Sequence, residues 1–95
     1  MNEEAVETVL VERLEAERTG DEFRIPEETD VTALLKTGAD LLHVKNVRIV
    51  EFGDNGLTLV TKHAEYFIDA DELFALKLEG SRIQPYDARP GFRRE

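Results

Sequence analysis

Two histidines, His43 and His63, are the first residues of this chain that could do chemistry. Imidazole nitrogens bind transition metals, and His63 with Glu65 has the i, i+2 spacing that puts two side chains on one face of a strand. Two such ligands leave a site incomplete, so both histidines read as isolated surface or turn residues and no metal is expected. Asp69, Asp71 and Glu72 form a compact carboxylate cluster. A calcium loop needs a longer ligand series around a central glycine, and none is present. The same residues match a helix-capping box, with Asp69 at the cap and Glu72 reaching back to it, so their expected role is structural. Nucleophilic catalysis finds little material. The single serine, Ser81, has no histidine beside it in sequence, and there is no nucleophile elbow, phosphate-binding glycine loop or dinucleotide fingerprint. Twenty-one acids allow an acid–base pair to be drawn anywhere, and nothing singles one out. With no cysteine, disulfides and thiolate metal sites are excluded. The chain reads as a non-enzyme without a cofactor.

Binding chemistry is better represented. Tyr86, Arg89, Phe92, Arg93 and Arg94 mix aromatic and guanidinium groups, a composition enriched at interfaces and able to contact nucleic acid. These five are the candidate interaction residues. They lie in a basic segment, 81–95, which has two prolines and no sustained period and reads as an extended or disordered tail. Residues 1–80 are expected to form one domain. The net charge of −9 is uneven. Residues 1–30 hold eleven acids against Arg13, Arg18 and Arg24, whereas the tail holds four arginines against Asp87 and Glu95. The opposite signs allow the tail to lie across the acidic region of its own or a neighbouring subunit. Phosphate neutralisation needs clustered Lys and Arg, so the charge argues against nucleic acid. No apolar run approaches a membrane span, and the N-terminal MNEEAVETVLVERL is acidic where a secretory signal is basic. A cytoplasmic protein partner, or a second copy of the chain, is the expectation.

The elements that must position these residues follow from spacing. Val6, Val9, Leu10 and Leu14 recur at intervals of three and four, predicting a helix over 3–19 with Asn2 as its cap and Gly20 closing it. Arg13 falls in that stripe, where its stem packs and its head reaches water. Residues 22–26 alternate like a short strand that Pro26 keeps from an internal position. Val31, Leu34 and Leu35 predict a second short helix, capped by Thr29 or Asp30 and stopped by Gly38. From Leu41 the period becomes two. The parity slips at Lys45-Asn46, which implies a bulge or a tight two-residue turn. Gly53-Asp54-Asn55-Gly56 is the clearest turn, and Lys62-His63-Ala64 is another. After the capping box, Phe74, Leu76 and Leu78 alternate on one side of a last strand, a short helix through Leu78 being the competing reading.

The stretches VRIVEFGDNGLTLV and YFIDADELFALKL, within Val47 to Leu78, resemble an Sm-like or other SH3-type small barrel. The resemblance implies a barrel-like sheet and, for the Sm-like members, RNA binding. Gly53 stands between Phe52 and Asp54, where the family has the acid directly after the phenylalanine. The expected architecture is therefore α+β: an N-terminal helix packed on a small antiparallel, barrel-like sheet of four to five strands. The expected function is a self-associating interaction or regulatory module. An Sm-like RNA binder and an acidic mimic of nucleic acid that inhibits another protein are the alternatives.

Overall fold

In a computed structural model, which describes residues 1–79, the chain is α+β, with one N-terminal helical segment and eight antiparallel strands in two sheets. Helix α1 (Glu3–Thr8) starts where Asn2 accepts a hydrogen bond from the Ala5 N–H at 2.7 Å, and Glu3 and Glu4 occupy its first turn. It runs on into a π-helical turn, Val9–Arg13, in which the Leu14 N–H donates to the Val9 carbonyl at 3.0 Å. Val6, Leu10 and Leu14 are all buried. On an α-helix every fourth residue drifts by about 40° round the axis. The wider turn takes that drift back and keeps the three side chains in one line. Arg13, expected on this stripe, is exposed. The helical segment ends well short of residue 19, because Glu15 itself takes a left-handed conformation (φ 57°). Residues 17–19 are already a strand.

Strands β1 (Glu17–Thr19) and β2 (Glu22–Arg24) form a hairpin across Gly20-Asp21. Gly20 has φ 64°, so it turns a hairpin and does not close a helix. The predicted second helix is likewise a strand, β3 (Asp30–Thr37), joined across Gly38-Ala39 to β4 (Asp40–Val44). Val31, Ala33 and Leu35 are buried on one face of the strand, with Thr32 and Leu34 on the other, a period of two that the 31/34/35 spacing masked. Gly38 (φ 68°) is again the hairpin residue. Strands β5 (Ile49–Gly53) and β6 (Gly56–Val60) flank the predicted Asp54-Asn55 turn. Gly56 has φ 149°, and a Cβ there would collide with the Ile68 carbonyl oxygen, so only glycine fits. The Lys62-His63-Ala64 turn is held by the Thr61 hydroxyl, which accepts from the N–H groups of His63 and Ala64. It leads to β7 (Glu65–Ile68), a 3₁₀ turn at Ala70–Glu72 and β8 (Leu73–Glu79).

The strand order is β1-β2-β5-β6-β7 in one sheet and β4-β3-β8 in the other. The parity slip at Lys45-Asn46 is neither a bulge within a strand nor a hairpin. It is the corner where the chain passes from one sheet to the other, with Asn46 at φ 60°. The sheets and helical segment share one core, in which Phe23, Val50, Leu59, Val31 and Leu73 are buried with Val6 and Leu10. Phe23 and Phe52 pack at 5.2 Å between ring centroids, tilted by 58°. The final strand departs from strict alternation. The β3–β8 register shifts so that Leu34 faces Ala75 and Leu35 faces Leu73, leaving Phe74 as the extra residue. Phe74 is therefore exposed, whereas Leu73, Leu76 and Leu78 join the core. Among the described residues no helix is long and apolar enough to cross a membrane.

Candidate functional site

The capping box forms as its sequence implies. The Glu72 carboxylate accepts from the Asp69 N–H at 2.9 Å, and the Glu72 N–H donates to the Asp69 carbonyl at 2.9 Å. His43 lies on β4 opposite Leu34, and His63 lies in the β6–β7 turn, both exposed. Among the described residues no three His, Cys, Asp or Glu side chains are grouped so as to hold a metal. The interaction candidates Tyr86, Arg89, Phe92, Arg93 and Arg94 lie outside the described residues, as does Ser81. Of the N-terminal acids, Glu7 pairs with Arg18 at 2.7 Å and Glu22 with Arg24 at 3.0 Å, all at the surface.

Sequence reasoning did not single out the margins of the two sheets. Val60 accepts a hydrogen bond from the Arg48 N–H at 2.8 Å, so its backbone points toward β5. Backbone direction alternates along a strand, which turns Leu57 and Leu59 toward Ile68 and Tyr66 of β7. Glu65 and Phe67 then direct their amides to the far side of β7, where no strand is paired. The same argument applies to β4. Val31 accepts from Val47, which turns Ala33 and Leu35 toward Val44 and Leu42 and leaves Leu41 and His43 facing the unpaired side. Apolar side chains crowd these two margins. Phe67 is 75% exposed, and Leu41 and Leu42 are each 44% exposed. Between the margins runs a groove of about 350 Å³, floored by Leu35, Leu42, Tyr66 and Ile68 and flanked by Glu65 and Glu72.

A signal for these residues was present. Tyr66-Phe67-Ile68 and Leu41-Leu42 are consecutive apolar residues on strands, so one of each run must face away from the core. The outer face of the small sheet is more polar. There the Glu79 carboxyl is held below its ordinary range, first by the Thr32 hydroxyl donating at 2.6 Å and next by Lys77 at 3.3 Å. The Lys36 ammonium lies 5.5 Å from the centre of the exposed Phe74 ring. Nothing in this arrangement joins a nucleophile to a base. What it offers is unpaired strand backbone beside exposed apolar side chains. Comparison with models of known protein families, with curated proteins and with solved structures finds no match for this chain.

Proposed function

We propose that this protein is a non-enzymatic interaction module that associates with a second copy of itself through the free margins of β4 and β7. One observation carries the reading: Leu41, Leu42 and Phe67, three of the five exposed large apolar residues among those described, sit on β4 and β7, each of which ends its sheet and lacks a neighbour on one side. Unpaired N–H and C=O groups next to an apolar side chain are the chemistry of strand addition. The contact proposed joins the β4 margin of one copy to the β7 margin of the next. Such a contact joins different surfaces of the two copies, so it propagates into a ring or a chain unless it is reciprocal.

Light scattering after size exclusion tests the proposal. The wild-type protein is expected to elute as an oligomer, and Phe67→Glu and Leu42→Lys as monomers with unchanged circular dichroism. A monomeric wild type would overturn the reading, as would oligomers that survive both substitutions. Nucleic acid has weaker support. Residues 1–79 hold nineteen acids against eight Lys and Arg, and a low-salt RNA titration is expected to show no binding.

A further inference from the structure

A second cleft, remote from the groove in lining and opposite in charge, lies where the loop after β2 meets the β6–β7 turn. Its volume is about 690 Å³, nearly twice that of the groove. Arg24, Arg48 and Lys62 line it with Ile25, Pro26 and the carboxylates of Glu17 and Glu27. Three of the eight Lys and Arg in residues 1–79 thus converge on one cleft of a strongly acidic chain.

Arg48 gives the cleft its character. Its Nη2 donates to the carbonyl oxygens of Ile25 (3.2 Å), Pro26 (2.5 Å) and Thr29 (3.1 Å), and its backbone N–H bonds to Val60 at 2.8 Å. Half-buried and tethered at one end, the guanidinium is fixed before any ligand arrives. None of those three acceptors carries a formal charge, so these three bonds hold the guanidinium in place without forming an ion pair. Its Nε and Nη1 are engaged by no described residue. Lys62 projects from the turn that Thr61 holds and forms no ion pair with a described residue. Arg24 is bound to Glu22 through Nη2 alone. A fixed, planar donor with an exposed ammonium lining the same cleft is a combination that can recognise an oxyanion. Glu17 and Glu27 reduce the net charge of the lining to one positive, which suits a small anion and disfavours a polyanionic strand.

We propose that this cleft binds the phosphate or carboxylate group of a small molecule, with Arg48 as the fixed donor and Lys62 and Arg24 closing on the anion. The test is an NMR titration of the full chain with inorganic phosphate, with acetate and with a short single-stranded oligonucleotide. Saturable shifts of the Glu27, Arg48 and Lys62 amides are expected with phosphate or acetate, and whichever is tighter identifies the group. Lys62→Gln is expected to weaken that binding about tenfold, the loss of one charge-assisted contact. Lys36→Gln, on the other sheet, should leave it unchanged. Absence of saturable shifts with both small anions would overturn the proposal. Equal weakening by the two lysine substitutions would do the same, since it would mark general charge attraction. Tighter binding of the oligonucleotide than of either small anion would replace the small molecule with a nucleic acid.

Discussion

The centre of the five-stranded sheet and its β7 margin follow the same in–out alternation, yet they differ in what each strand meets. Strands β5 and β6 have neighbours on both sides, and Val50 and Leu59 are sealed against the helical segment and the opposite sheet. Strand β7 has a neighbour on one side only, and its Phe67 stands in water. The difference teaches that apolar content does not distinguish core from contact surface in this protein. The face a side chain takes does, since Tyr66 and Ile68 of the same strand pack against the core while Phe67 between them points outward. Facing the core, a large side chain stabilises the monomer. Facing outward on the margin, an equally large one contributes almost nothing until a partner covers it.

Truncating each side chain in turn gives the largest contrast. Leu59→Ala is expected to lower the unfolding free energy by about 2–5 kcal/mol in urea titrations, through lost burial and a residual cavity. Phe67→Ala, although it removes more carbon, should stay within about 0.5 kcal/mol in dilute, monomeric protein. Comparable losses at the two positions would break the comparison. A smaller effect, of opposite sign, concerns Thr29. Its hydroxyl is buried and has no hydrogen-bond partner, although its carbonyl is held by Arg48. Thr29→Val keeps the shape and removes the unsatisfied group, so stability is expected to rise by about 1 kcal/mol. A fall would show that the hydroxyl makes a contact in solution.

The smallest effect is electrostatic and lies on the small sheet. The Glu79 carboxyl has a lowered pKa in the folded state, so its ionised form favours folding. That contribution is present above the pKa of the unfolded chain and is lost as pH falls through the folded value. Thr32→Val removes the hydroxyl that contributes most to the lowering, so the acid limb of a stability–pH profile should become slightly shallower. An unchanged limb would mean that Lys77 alone sustains the shift.

Much of the fold was legible in the sequence wherever spacing and turn chemistry agreed. The Asn2 cap, the Asp54-Asn55 turn, the capping box and the Leu57/Leu59 face of β6 all stand where their residues placed them. The failures share a cause. Gly20 and Gly38 supply the same left-handed backbone whether they end a helix or turn a hairpin, so Gly20 carried the first helix past its true end and Gly38 supported a second that does not exist. Val31 and Leu35 fit both periods, Leu34 fits only the helical one, and the buried Ala33 that decides for a strand is too small to mark a face. The candidate surface was less legible. Which strand lies at a margin depends on partners far along the chain, and neither Phe67 nor Leu41 carries that information locally.

The β3–β8 ladder has a consequence for how the chain is made. Strand β3 meets β4 across two residues, so that hairpin closes early. Its other side is completed only by residues 73–79, some forty positions later. Pairings so remote in sequence form slowly, because a long loop must be closed before any contact stabilises it. During synthesis the small sheet therefore waits, half-built, for almost the whole domain to leave the ribosome. Until then, Val31, Ala33 and Leu35 are within reach of chaperones and of other nascent chains.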